Sequence, residues 1–237
     1  MSWTAHIITL MPEAFPGLLG ESLSGRALEK GIWHLHTQAL RDHGLGKHQN
    51  VDDTPAGGGA GMVIRADVAA AAIDAACAQN PDLPLLVPTP RGAPLMQERV
   101  KHLAAGPGVM IFCPRFEGVD ERVFQRRRIE EVSLGDYVLS GGDMAAQVII
   151  DAAVRLLPGV MGGAESALEE SFENDLLEYP HYTRPTLWEG EEIPEVLTSG
   201  DHQKVADWRR TEAEKLTKNR RPDLYARYLA VQKGEKG

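Results

Sequence analysis

The sequence predicts an α/β fold built on a mostly parallel sheet, and three observations carry that prediction. Strand-like and helix-like segments alternate at short period from Leu83 to Cys113, the pattern of parallel strands joined by crossover helices. Three successive strand ends run into Gly or Pro loops, at Pro88-Thr89-Pro90-Arg91-Gly92, at Pro114 to Arg122 and at Ser133 to Asp143. In such sheets ligands collect beyond the C-terminal ends of the strands. The two cysteines, Cys77 and Cys113, lie far apart in apolar runs with no zinc spacing. The 237 residues are therefore expected to bury a core without disulfides, in a reducing compartment.

Taken in order, Ala5 to Leu10 reads as a buried strand and Pro12 as the first turn of a helix. A short helix follows from Ser24 to Lys30, then an extended segment from Ile32 to Leu40 with His34 and His36 on its polar face. Arg41 to Gly61 is a long polar loop ending in GGGAG. It lacks the Gly-Lys-Ser/Thr ending of a phosphate loop, and no GxGxxG follows a strand, so nucleotide triphosphatase and dinucleotide readings are disfavoured. Ala66 to Gln79 is an alanine-rich helix. Leu83 to Val87 and Val109 to Cys113 are strands around a helix from Leu95 to Ala105, with Pro88 to Gly92 as a rigid turn.

The stretch Ser133 to Asp143, SLGDYVLSGGD, organises the rest. A strand breaks at Gly135, Tyr137-Val138-Leu139 favour extended backbone, and Gly141-Gly142 precede a helix from Asp143 to Leu157 with Asp143 as its cap. Paired glycines at that junction let a ligand approach bare main chain, although the same residues also fit an ordinary strand, turn and helix. Phe116, Leu134, Tyr137 and Leu139 suit the flanks of a flat apolar ring. Arg155, near the end of a mostly apolar helix, either pairs structurally or serves a site.

The net charge of −9 argues against a nucleic-acid partner at first sight, but the charge is unevenly placed. Residues 164–195 hold ten acids and one Arg, whereas residues 199–237 hold ten Lys plus Arg against six acids. Two helices, Asp201 to Asn219 and Pro222 to Gln232, thus offer a basic surface for a polyanion. No apolar run reaches membrane-spanning length, and MSWTAHIITLMPEAF has no leader pattern, so a soluble cytoplasmic protein with no membrane partner is expected.

PRFEGVDERV, SLGDYVLSGGD, the Asp52-Asp53 loop with its glycines, RLLPGVMG and PHYTRP together resemble the bacterial tRNA (guanine-N1)-methyltransferase family. The resemblance runs from Trp3 to about Trp208. It implies a SPOUT-type fold: a parallel sheet with a deep C-terminal trefoil knot in residues 1–160, a linker over 161–187, and a small helical tRNA-binding domain over 188–237. It further implies a homodimer with a shared active site, S-adenosyl-L-methionine as methyl donor, and as target the N1 of guanosine 37 of tRNA, when another guanosine precedes it.

Carried over by position, Pro114, Leu134, Gly135, Asp136, Tyr137, Val138 and Leu139 would hold the adenine and ribose, largely through main chain, and Pro90 belongs to the same cofactor-binding set. Gly141 and Gly142 leave room for the ligand, and Glu117 lies near the methionine part. Arg155 and Glu170 correspond to the catalytic arginine and carboxylate, and Asp52, Gly59, His181, Tyr182 and Arg184 to RNA contacts. Two positions depart from the family pattern. Glu170 stands where the family has aspartate, in a register set by Ser166 and Ser171-Phe172, and is expected to serve as base after a small retreat of the linker. Pro114 stands where many relatives have glycine, so a ligand contact there must use its carbonyl or its ring. Glu117, Glu169 and Glu170 offer the hard oxygen ligands Mg²⁺ takes. Two alternatives remain: a SPOUT methyltransferase acting on another RNA, and a non-catalytic RNA-binding or nucleotide-sensing module.

Overall fold

The computed structural model describes residues 2–162 and 170–234. The chain divides into two compact units, residues 1–162 and 163–237.

The first unit is built on five parallel strands in the order β2-β1-β6-β5-β7. These are β1 (Trp3–Thr9), β2 (Trp33–Ala39), β5 (Leu85–Pro94), β6 (Gly108–Phe112) and β7 (Glu130–Ser133). Between them come α1 (Ser22–Glu29), the two-residue hairpin strands β3 (Asp52–Asp53) and β4 (Val63–Ile64), α2 (Ala66–Gln79), α3 (Gln97–Ala105) and α4 (Glu121–Arg126). The unit closes with α5 (Gly142–Val154).

Strand alternation splits the core into two layers. Val109, Ile111 and Cys113 face a cluster shared with α1, α3 and α5. Met110 and Phe112 face the opposite cluster, shared with α2 and α4. Covered on both sides, β6 has every residue buried, which is why its sequence is an unbroken apolar run. Trimming a sealed side chain such as Ile111 to Ala would cost about 2–5 kcal/mol.

Three expectations change. The Pro88 to Gly92 segment is not a free turn, because β5 runs through it. Pro88 and Ala93 both register on Val132 of β7, so Thr89 to Gly92 leave the ladder as a bulge. Tyr137 to Leu139 form no strand; they pass as a bend between β7 and α5, with their side chains 56, 84 and 37 % exposed. Asp143 does not cap α5 either. The cap is Gly141, and the buried Asp143 carboxylate instead accepts a 2.5 Å hydrogen bond from Thr9 Oγ1. His34 and His36 are exposed on the edge strand β2, as a polar face would be. Cys113 is buried, while Cys77 is half-buried.

In the second unit a short hairpin, β8 (Leu187–Trp188) with β9 (Glu191–Glu192), precedes α6 (His202–Arg220) and α7 (Pro222–Gln232). Asp201 caps α6 through a bond from the Lys204 N–H. The buried Thr217 hydroxyl donates to the Ala213 carbonyl at 2.7 Å and accepts from the Leu177 N–H at 2.8 Å. That bond, and the Arg227–Asp175 pair at 3.0 Å, tie the stretch before the hairpin onto the helices. Among the described residues no helix is long and apolar enough to cross a membrane.

Candidate active site

A cleft of about 260 Å³ opens at the C-terminal edge of the sheet, walled by the loops that follow β6 and β7 and by the bulge of β5. Ten of the expected donor-binding residues line it: Pro90, Pro114, Glu117, Leu134, Gly135, Tyr137, Val138, Leu139, Gly141 and Gly142. Asp136 is not among the lining residues. Pro88, Thr89, Arg115, Phe116 and Ser140 join the wall.

Close packing shapes the floor. A Cβ on Gly142 would lie 2.6 Å from Pro114 Cδ and 2.9 Å from Cys113 Cα, and one on Gly141 would lie 2.4 Å from Arg115 Cδ. The Gly142 N–H donates to the Pro114 carbonyl at 2.8 Å. One lone pair of that carbonyl, the polar contact left to a ligand by the missing proline N–H, is therefore already used within the fold. Phe116 has φ +60°, the left-handed region that an aromatic residue rarely enters.

Arg115 stands beside the buried Asp143, with Nη1 3.9 Å from Oδ2, and Oδ2 has no hydrogen-bond partner among the described residues. Burial, with the Asp143 charge in second place, pushes the Cys113 thiol well above its ordinary range, so it stays protonated and unreactive.

The glycine loop meets the cleft at Glu117. Asp52 pairs with Ile64 in the β3–β4 hairpin, the Glu117 N–H donates to the Met62 carbonyl at 2.9 Å, and a Cβ on Gly61 would lie 2.4 Å from Glu117 Oε1. Gly59 is exposed at φ +123° with open space where a Cβ would sit. A larger groove of about 940 Å³ runs from Glu117 along Asp53, Arg65, Asp120 and Arg126. Asp120 caps α4 and grips the Arg122 guanidinium at 2.7 Å, which draws its carboxyl down to about 2.

Arg155 follows directly on α5, half-buried, its N–H donating to the Asp151 carbonyl at 3.1 Å. Glu170 belongs to the second unit, where it lines a cavity of about 340 Å³ with Tyr179, Arg209, Arg210 and Tyr228. Arg209 stacks over the Tyr179 ring, with Cζ 4.8 Å from its centroid. His181 Nε2 lies 2.7 Å from Glu178 Oε1, Tyr182 meets Trp208 edge-on at 6.1 Å, and Arg184 is exposed. Glu169 and Ser166 lie outside the described residues.

Four cations of the basic surface expected on α6 and α7 pair with local carboxylates. Lys204, Arg210, Lys215 and Arg221 pair with Asp201, Asp207, Glu212 and Asp223.

A family model described as tRNA (guanine-1)-methyltransferase TrmD matches residues 3–227. The chain belongs to this family. A family relative from Sphingopyxis alaskensis, named tRNA (guanine-N(1)-)-methyltransferase, is 60% identical over 229 residues, covering 97% of this chain and 94% of its own. Proteins of the same name from Bartonella bacilliformis and Rhodopseudomonas palustris are 62% identical over 228 residues and 64% identical over 224. They cover 96% and 94% of this chain, and 97% and 89% of their own lengths.

The cleft suits the donor that tRNA (guanine-1)-methyltransferases are expected to use. Bare glycine main chain permits close approach, and Tyr137, Val138 and Leu139 offer apolar surface to a flat ring. Among the described residues the N–H groups of Val138 and Leu139 donate to no backbone carbonyl. Of the three carboxylates expected to offer oxygen ligands to Mg²⁺, Glu169 lies outside the described residues. Among the described residues no three His, Cys, Asp or Glu side chains converge on a metal position.

Proposed function

We propose that this protein is an S-adenosylmethionine-dependent tRNA (guanine-N1)-methyltransferase that modifies guanosine 37, the nucleoside 3′ of the anticodon, when another guanosine precedes it. The observation that carries the reading is the cleft itself, built from the family's own motifs at the open end of a parallel sheet in a chain the family model matches over residues 3–227.

Main chain from Leu134 to Leu139, with Pro114, would hold the adenosine of the donor, Pro90 would line the same site, and Glu117 would lie near the methionine part. The donor, when bound, supplies an electrophilic methyl group. The acceptor nitrogen of guanine carries a proton, so its lone pair is blocked until a base removes it. Glu170 takes that proton, a step for which a placed carboxylate contributes about 10²–10⁴-fold. Arg155 stabilises the charge that grows on guanine O6. The base leaves its stack to be reached, while Asp52, Gly59, His181, Tyr182 and Arg184 contact the RNA.

Residues 1–160 form the donor-binding domain, 161–187 an interdomain linker and 188–237 a helical tRNA-binding domain. The crossing of the chain after β7 closes as a deep trefoil knot; the strand order and the packing of Gly142 against Cys113 and Pro114 favour it. Two copies share the active site. The support is an apolar stripe on α5, Met144 and Val148 at 65 and 52 % exposure, next to the 3₁₀ turn that carries Leu18 at 81 %. The enzyme works in the cytoplasm.

The test is methyl transfer from labelled S-adenosylmethionine to a purified tRNA transcript, with the product mapped by primer extension. A stop at position 37 is expected, together with poor turnover when the preceding guanosine is replaced. Absence of incorporation by the folded protein sinks the reading.

A further inference from the structure

We propose that Arg91 is a positioning residue for the methyl-donor cleft, clamping the β5 bulge so that Pro88, Thr89 and Pro90 hold their place in its wall. This rests on the reading of that cleft as the S-adenosylmethionine site.

The bulge needs holding. Thr89 to Gly92 lie outside the ladder, since Pro88 and Ala93 both register on Val132, so no strand pairing fixes them. Thr89 and Pro90 nonetheless line the cleft, and neither proline of the segment has an N–H with which to anchor it. At the base, Gly92 presses on β7, where an added Cβ would lie 2.4 Å from the Val132 nitrogen.

Arg91 lies outside the cleft lining and supplies the remaining restraint through three contacts. Its Nε donates to Glu131 Oε2 on β7 at 2.7 Å, and Nη2 meets Glu121 Oε2 on α4 at 2.7 Å. Its Cζ sits 4.9 Å from the centroid of the Phe124 ring, also on α4. The guanidinium thereby ties three elements together through a planar fork that a lysine cannot reproduce. Glu121 lines the neighbouring groove, so the clamp stands between the two cavities. Arg91 and Glu121 are each more than half exposed and Glu131 is 29% exposed, so each ion pair is individually weak and open to screening. The effect of losing the clamp is a looser wall, not an unfolded protein.

The experiment is calorimetric binding of S-adenosylhomocysteine to the full chain, with hydrogen exchange over residues 88–94. Arg91→Gln is expected to weaken binding about five-fold and to speed exchange in the bulge. Donor KM should rise while kcat at saturating donor stays unchanged. Glu121→Gln, which removes one anchor, should shift affinity the same way by less, and Arg91→Lys should fall between wild type and Arg91→Gln. Wild-type affinity should decline with added NaCl more steeply than that of Arg91→Gln. Unchanged affinity in Arg91→Gln overturns the proposal, as does a fall in kcat with donor KM untouched. If wild-type protein takes up no S-adenosylhomocysteine at all, the cleft reading fails instead.

Discussion

The N–H of Gly142, the first residue of α5, donates to the carbonyl of Pro114, two residues beyond the end of β6, at 2.8 Å. This bond joins the two motif loops at the floor of the cleft, with backbone so close that no side chain fits between them.

Gly142→Ala tests that closeness. Alanine favours a helix over glycine by about 1 kcal/mol, but its Cβ would sit 2.6 Å from the Pro114 ring and 2.9 Å from Cys113 Cα. Overpacking against atoms that cannot swing aside costs about 1–3 kcal/mol, so the clash wins. The midpoint of thermal unfolding should fall, and S-adenosylhomocysteine affinity with it. A rise in the midpoint would show that the floor yields.

Thr9→Val removes the donor to the Asp143 carboxylate while keeping the side chain's shape. Asp143 is only 5% exposed and Thr9 is sealed, so the variant leaves a buried carboxylate oxygen without its bond, at a cost of about 1–3 kcal/mol. It also strips the Met11 N–H of its 2.9 Å acceptor. Urea unfolding should show the loss in Thr9→Val and its absence in Thr9→Ser.

His6 predicts a pH dependence. The Asn80 amide donates to the Ala76 carbonyl at 3.2 Å and to His6 Nδ1 at 3.1 Å. The Gln38 amide donates to the Ala72 carbonyl at 2.9 Å, leaving its oxygen to accept from His6 Nε2 at 3.2 Å. This network assigns one neutral tautomer, because a second proton would face the Asn80 amide hydrogens. Burial, and to a lesser extent the nearby His36, hold the imidazole below its usual 6.5, against the Gln38 bond. The unfolded chain therefore binds the proton first, and stability present above pH 6.5 is lost as pH falls toward the folded value. The urea midpoint should decline between about pH 7.5 and 5.5, and His6→Gln should flatten that decline.

Glu170→Gln should lower single-turnover methylation by about 10²–10⁴-fold without weakening S-adenosylhomocysteine binding. Glu169→Gln should retain near-normal rates. The reverse pattern would move the base one residue back. Arg155→Ala should slow the chemical step while leaving tRNA affinity nearly intact.

Much of the fold was legible because β6 is a short unbroken apolar run and α5 a longer, mostly apolar one, and Ala66–Gln79 and Pro222–Gln232 begin and end where their residues change character. Asp143 misled because its carboxylate answers to Thr9, a partner 134 residues away that no local window contains. Pro88 to Gly92 looked like a turn because the residues are turn formers; only pairing with Val132 makes them a bulge. The loops that line the cleft were readable as contiguous runs of Gly and apolar residues. Arg115 and Thr89 were legible only as members of loops beyond strand ends, since their place in the wall depends on where distant strands end.

The two margins of the central sheet have a consequence for edge-to-edge pairing. One margin, β2, presents His34, His36 and Thr37 to solvent. The other, β7, is four residues long, with Glu130 and Glu131 fastened by Arg99 and Arg91. Neither invites an added strand. Fibre-like growth by strand addition at either margin is thereby discouraged.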